Sequence, residues 1–349
     1  MAYEILRWIG DESLLQGLVR ELSSFILVIV IVVCILVLSK GADWMIDGVV
    51  HLARRTGLPR IVIGATIVSL GTTTPEAFVS VMAAWMGNPG LALGNGVGSI
   101  IVDTGLIFGL ACVLVPMPMD PFILNRTGWV QVGAATLLVS ISLILMVSTK
   151  GPPVIGRWVG LLFLFLLAGY MYITYKWARE RAATGGEEDG DFSPVGIARS
   201  FVMIVGGLFL VILGARVLIP CASEIASRIG VPDDVIAATL VAFGTSLPEL
   251  ITAIAAIRKG HPEISVGNIV GADVLNCFFV VGAAAAARPL EIPPNFFTFH
   301  FPAMLIILYS FRVFIAVNKE GRFKRSQGVW LLGVYLAYVI SQYALNIGG

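Results

Sequence analysis

Ten apolar runs of bilayer-crossing length follow one another through the chain, near residues 23-52, 60-87, 90-115, 128-147, 153-177, 194-227, 233-258, 263-287, 296-316 and 327-347. A spanning helix needs about 20 mostly apolar residues, and each run meets that length. Lipid supplies no water to a free backbone group, so a chain that crosses it many times must do so as hydrogen-bonded helices or as a closed barrel. Runs this long and this continuously apolar predict the helical solution, an all-α polytopic membrane protein. The chain of 349 residues is 57% hydrophobic and 13% charged, whereas soluble domains carry about 25% charged residues.

The segments between the runs set the orientation. Residues 1-22 alternate charge with a Leu/Ile/Trp face and lack a signal-peptide cleavage site, which predicts a short interfacial helix. The stretch 179-193, rich in Gly and acidic residues, predicts a solvated linker. Of the 23 Lys and Arg residues, 14 fall on the side holding the first, third, fifth, seventh and ninth loops, and six on the other. The positive-inside rule places that first side, with linker 179-193, in the cytoplasm and both termini outside it.

Several function classes lack their residues. A formal net charge of +1 gives no field to recruit nucleic acid. Cys34, Cys112, Cys221 and Cys277 lie in apolar runs without paired spacing and predict buried thiols. His51, His261 and His300 are scattered outside any His-Glu-x-x-His pattern, and no Gly-x-Ser-x-Gly elbow occurs, so an intramembrane hydrolase has neither metal set nor nucleophile. No feature calls for an organic cofactor or an obligate protein partner.

Laying 41-110 over 214-283 at a constant offset of 173 needs no gap, and 24 of the 70 pairs are identical. Gly71/Gly244, Thr72/Thr245, Pro75/Pro248, Glu76/Glu249, Gly94/Gly267, Asn95/Asn268 and Gly98/Gly271 are among them. Five runs separate equivalent points, and five is odd, so the second copy enters the membrane upside down. The expected organisation is ten transmembrane helices in two inverted five-helix repeats, 23-178 and 194-349, with paired motifs at 60-115 and 233-287. Inverted repeats mark secondary transporters, whose sites lie near the midplane where broken helices of the two halves meet. A channel or a structural protein could also arise by duplication.

Each motif puts a carboxylate at depth, a functional hypothesis by default. Pro75 withholds an N–H and its ring meets the Gly71 carbonyl, so the helix should unwind across Gly71-Thr72-Thr73-Thr74 and expose carbonyl oxygens. Glu76 then falls in the first turn of the resumed helix, where the dipole favours its charge. Gly244-Thr245-Ser246-Leu247-Pro248-Glu249 repeats the device. Two carboxylates with freed carbonyls and the hydroxyls of Thr72, Thr73, Thr245 and Ser246 make a hard, all-oxygen donor set, suited to calcium or sodium and less to magnesium. Downstream, Asn95, Ser99 and Asp103 recur every fourth residue as a polar stripe, matched by Asn268, Ala272 and Asn276. Gly94, Gly98, Gly267 and Gly271 have the small-x-x-x-small spacing of close helix packing; for Asn95 and Asn268, interhelical hydrogen bonding is as good a reading as ligation. Asp273 stands one residue off the stripe and reads as a buried, hydrogen-bonded or protonated acid.

The paired Gly-Thr-x-x-Pro-Glu and Gly-Asn-x-x-Gly motifs resemble the two alpha repeats of the cation/calcium antiporter superfamily, most closely the sodium/calcium exchanger branch of prokaryotic type. The resemblance covers about 140 residues and implies a transporter, not an enzyme, in a prokaryotic plasma membrane. It implies sodium-driven calcium antiport by alternating access; a proton-coupled calcium or other divalent-cation antiporter is the alternative, with H+ a further candidate ion. By carry-over, Glu76 and Glu249 would bind calcium. Thr72, Thr73, Thr245 and Ser246, with the carbonyls of Ser69 and Ala242, would serve flanking sodium positions, and Ser99, Asp103 and Asn276 the middle. Three departures stand out: Thr73-Thr74 where the family usually has Ser-Leu, Ala272 where a hydroxyl is usual, and the acid of the Asp103/Asn276 pair in the first repeat instead of the second. Asn276 implies potassium independence.

Overall fold

The computed structural model describes residues 12-183, 195-229, 244-318 and 320-344. A short helix, α1 (Glu12–Glu21), precedes ten helices: α2 (Ser24–Thr56), α3 (Arg60–Trp85), α4 (Pro89–Leu114), α5 (Pro121–Ser148), α6 (Arg157–Ala183), α7 (Ile197–Arg228), α8 (Leu247–Arg258), α9 (Pro262–Ala287), α10 (Phe296–Val317) and α11 (Arg325–Ala344). Eight of them, α2 to α7, α9 and α10, are long and apolar enough to cross a membrane. The protein is an integral, multi-pass membrane protein. The predicted run 233-258 is described only from Gly244, and α11 has 20 residues.

Caps set the helix starts. The Ser23 hydroxyl accepts from Ile26 N–H at 3.3 Å and starts α2. Asp120 accepts from Phe122 and Ile123 N–H at 2.8 and 3.1 Å, with Pro121 as the first helical residue, so α5 begins seven residues before the predicted 128. At the other end of the half, the linker expected from 179 starts later, because Arg179-Glu180-Arg181-Ala182-Ala183 are good helix formers that extend α6. Arg181 pairs with Asp120 at 3.0 Å and holds that last turn. Residues 184-194 and 1-11 lie outside the described residues.

The backbone carries the offset of 173 as clearly as the side chains do. Ser24 and Ile197 open α2 and α7, Pro89 and Pro262 open α4 and α9, and Leu114 and Ala287 close them. Gly87 and Gly260, at equivalent turns, have φ of 85° and 77°, a region open to glycine and costly for other residues. Equivalent helices run antiparallel: along α2 and α7, Gly41 meets Gly207, Gly48 meets Ser200 and Ser24 meets Arg228. A Cβ on Gly41 would lie 2.8 Å from the Gly207 carbonyl oxygen, so this pair depends on small residues for its approach.

Burial separates a centre from a rim. Of the apolar windows of α9, α4 and α3, 83%, 72% and 61% is buried, against 28% for α2 and for α7. The motif-bearing helices therefore form the middle and the two longest helices lie across its outside. Gly64, Gly267 and Gly271 let α3 and α9 touch backbone to backbone: added Cβ atoms would strike the carbonyls of Ile264, Ile61 and Ala65 respectively. Among the described residues Gly94 and Gly98 meet no such backbone; Asp234 and Ala238, the counterparts of Ile61 and Ala65 at the offset of 173, lie outside them. Cys34, Cys112, Cys221 and Cys277 are free and buried.

Candidate ion-binding site

The helix break in α3 is smaller than the predicted unwinding. Helix continues through Thr72 and resumes at Thr74, with Thr73 alone between them at φ −83°, ψ −7°. Thr73 N–H still donates to the Ser69 carbonyl at 2.8 Å and Ala77 N–H to Thr73 at 3.1 Å. The proline's missing donor is thus absorbed by one tightened turn instead of a stretch of extended chain. In the second repeat Thr245 and Ser246 form the turn, α8 starts at Leu247 and Leu250 N–H donates to the Ser246 carbonyl at 3.1 Å. Glu76 and Glu249 each fall in the first turn after the break.

Both glutamates are 1% exposed, and among the described residues their four carboxylate oxygens make no hydrogen bond of ordinary length. Neither forms a salt bridge among the described residues. Glu76 interacts electrostatically with Glu249 and with Asp103, and Asp103 with Glu249, so the three acids share one neighbourhood. Thr72 and Thr73 lie against Glu249, and Ser246 against Asp103. The hydroxyls of Thr73, Ser99 and Ser246 are buried without partners. Buried polar groups are nearly always satisfied in a folded protein; this many orphaned oxygens around three carboxylates is a donor set waiting for cations. Among the described residues no three His, Cys, Asp or Glu side chains converge closely enough to hold a metal alone, so neutral oxygens must complete any coordination shell.

The remaining candidates divide by what they touch. Asn95 donates to the Glu76 carbonyl at 3.0 Å and to Ser80 Oγ at 2.9 Å, which clamps α4 onto α3. Thr72 Oγ1 lies 3.3 Å from both the Ser69 carbonyl and Asn268 Oδ1, while Asn268 Nδ2 has no partner. Ser69 is buried, its hydroxyl donates to the Thr66 carbonyl at 3.3 Å, and its own carbonyl already serves Thr72 and Thr73. Asn276 Nδ2 donates to Asp103 Oδ2 at 3.4 Å, leaving Asp103 Oδ1 and Asn276 Oδ1 free. These two residues are equivalents at the offset of 173, and equivalents that touch each other lie on the axis relating the halves. Thr245 is half-buried beside buried Pro248, Pro75 is half-buried, and Ala242 lies outside the described residues.

Wide π-helical turns occur at this level, over Gly64–Val68, Ile101–Phe108 and Asn276–Val281. Such turns concentrate at functional sites. Asp103 sits in the second, and Asn276 opens the third. Asp273 is a fourth buried acid that interacts electrostatically with Asp103 and Glu249, and its Oδ2 accepts from Thr104 Oγ1, and from Gln131 Nε2 at 2.6 Å. Sequence reasoning missed Gln131, Thr104 and Ser80. The available signal was a lone amide, Gln131, in the apolar run of α5.

A multi-pass helical protein that buries three acids, without a cationic side-chain partner among the described residues, amid hydroxyls and amides at the meeting point of two equivalent halves is an ion transporter. The profile of the sodium/calcium exchanger protein family matches residues 26–176 and 199–344, and the chain belongs to that family. It is 27% identical to the sodium/calcium exchanger MaX1 of Methanosarcina acetivorans, covering 87% of this chain and 94% of that protein. It is 29% identical to the inner membrane protein YrbG of Escherichia coli, covering 90% and 96%. Among solved structures, the sodium-calcium exchanger NCX_Mj soaked with 10 mM Na+ and zero Ca2+ superposes with a TM-score of 0.77 at 27% identity, covering 91% of this chain and 99% of that one.

Proposed function

We propose that the protein is a sodium/calcium antiporter that moves calcium against inward sodium by alternating access, without potassium or an organic cofactor. The observation that carries this reading is the pair Glu76 and Glu249: equivalent, fully buried, close enough to interact electrostatically and without a cationic partner among the described residues. In this reading they are the calcium ligands. Thr72, Thr73, Thr245, Ser246 and the Ser69 and Ala242 carbonyls serve flanking sodium ions, and Ser99, Asp103 and Asn276 fill the middle of the site on the axis. Three acids balance three sodium ions but exceed one calcium by a charge, so the two loads differ electrically and compete for the same oxygens. Potassium independence rests on the amide at Asn276.

The scaffold in this reading is ten transmembrane helices in two inverted five-helix repeats in a prokaryotic plasma membrane, with both termini outside the cytoplasm and loop 179-193 inside it. The α2/α7 pair, at the rim of the bundle, slides across α3 and α8 as a filled site passes between its two openings. Proteoliposomes loaded with sodium and diluted into sodium-free isotopic calcium test the function. Uptake that needs the sodium gradient and ignores potassium is expected. Uptake driven equally by a proton gradient alone would transfer the scaffold to proton coupling, and current without counter-ion would make it a channel.

A further inference from the structure

Arg312 lies on α10, five residues before the helix ends at Val317, and only 9% of it is exposed. Its Nε and Nη1 donors have no hydrogen-bond partner, and no carboxylate pairs with it among the described residues. A guanidinium does not shed its charge in a protein, and an uncompensated buried charge is strongly destabilising. The Trp129 ring compensates part of that charge, and Nη2, which is not enclosed as Nε and Nη1 are, is the corner through which the group can meet an anion that the described residues do not provide. Its surroundings indicate which. The guanidinium carbon lies 4.4 Å from the centroid of the Trp129 ring, and Arg312 Cδ would lie 3.6 Å from a Cβ on Gly128, so the side chain occupies the crevice between α5 and α10. Trp129 is 60% exposed on a membrane-spanning helix and so faces lipid.

Depth agrees with a headgroup. Met119 N–H donates to the Gly321 carbonyl at 2.9 Å and Phe323 N–H to Met117 at 2.8 Å, so α5 begins and α10 ends on one face of the membrane. At 1.5 Å per residue, Arg312 lies about 7 Å and Trp129 about 12 Å inside those ends. From there a long basic side chain reaches the phosphate level of a bilayer. Arg322 and Arg325 on the same face add a field that attracts anionic lipid.

We propose that the α5/α10 crevice seats the phosphate of an anionic phospholipid, with Arg312 as its charged donor and Trp129 as the ring that covers it. The test uses the purified full chain in detergent, as wild type, Arg312→Met, Arg312→Lys and Trp129→Leu. Each is given phosphatidylglycerol, phosphatidylcholine or inorganic phosphate, and read by melting temperature and by lipid retained in native mass spectrometry. Phosphatidylglycerol should raise the wild-type melting temperature and remain bound as one molecule. Retention should fall about tenfold or more in Arg312→Met, in line with loss of a charge-assisted hydrogen bond, and less in Arg312→Lys and Trp129→Leu. Phosphatidylcholine and inorganic phosphate should do little. Without lipid, Arg312→Met should melt no lower than wild type, since it removes an unpaired charge. Equal retention in wild type and Arg312→Met, equal stabilisation by inorganic phosphate, or a lipid-free loss of stability in Arg312→Met that Arg312→Lys repairs would each overturn the proposal, the last by making the charge structural.

Discussion

The contact between α3 and α9 offers a substitution whose effect follows from distances. Gly64 lies in the wide turn Gly64–Val68, and a Cβ there would stand 2.5 Å from the Ile264 carbonyl oxygen and 3.1 Å from Asn268 N. Both atoms are backbone, so neither can rotate away. Ordinary contact begins at 3.4 Å, and Gly64→Ala must part the helices by the difference from 2.5 Å, 0.9 Å. Overpacking of this kind costs about 1–3 kcal/mol, offset by up to about 1 kcal/mol from the better helix former. A net loss of about 1–2 kcal/mol lowers the melting temperature of a chain of this length by roughly 1–3 °C. The same displacement opens the 3.3 Å contact of Thr72 Oγ1 with Asn268 Oδ1, so ion affinity should drop as well. Gly133→Ala is the control: it makes the same chemical change on the exposed face of α5, with no atom within 4 Å. Melting curves and sodium-dependent calcium uptake of the two variants decide the matter. Wild-type melting and uptake in Gly64→Ala would refute the claim that backbone contact between these helices shapes the site.

Glu76→Gln and Glu249→Gln should each abolish calcium uptake, yet raise the melting temperature in ion-free detergent by removing one of several uncompensated buried charges; full exchange in either variant would remove the site assignment. Asp103→Asn should impair sodium-driven uptake, and Asp103→Asn with Asn276→Asp should restore much of it, because the charge moves only across a 3.4 Å contact to its equivalent position; a double variant no better than the single would count against the axial placement. His261, in the turn between α8 and α9, is held below the usual imidazole range by burial and by the Arg60 guanidinium, against an upward pull from Glu263. The unfolded chain then takes up the proton first, so this stability is intact above about pH 6.5 and declines as pH falls through the unfolded value toward the lower folded one. Melting temperatures from pH 7.5 to 5.5 should show a slope that His261→Gln reduces, and an unchanged slope in that variant would assign it elsewhere.

Much of this architecture was legible because its punctuation is chemical. Proline before glutamate, glycine at equivalent turns and an asparagine after glycine recur at one offset, and each has a backbone consequence that no apolar residue imitates. The helix starts were less legible. Hydropathy averages over a window and cannot see that Asp120 and Pro121 begin α5 outside the apolar run, although the capping pair was there to read. The extent of the break at Thr73 was overestimated because a proline rule describes the lost donor and not how neighbouring turns tighten around it. Gln131 was invisible for another reason: its partners, Thr104 and Asp273, come from α4 and α9, and no local pattern announces a hydrogen bond between three helices.

Symmetry and its violations have separate consequences here. The shared offset in helix ends, turns and motifs gives the two halves similar backbones, so exchanging their conformations need not cost much, and a carrier requires two states of comparable free energy. The oxygens inside that frame are not symmetric. Asp103 faces Asn276, Ser99 corresponds to Ala272, and Asp273, tied to Thr104 and Gln131, corresponds to Ile100. Hydroxyl and charge are therefore concentrated on the α4 side of the axis, and the extra hydrogen-bonded acid on the α9 side. A cation beside Glu76 and one beside Glu249 consequently meet different donor sets, though the glutamates themselves are equivalent. Under the sodium coupling proposed above, positions that differ in this way would fill in order instead of at once, and the first to empty would be the one with fewer oxygens, beside Ala272.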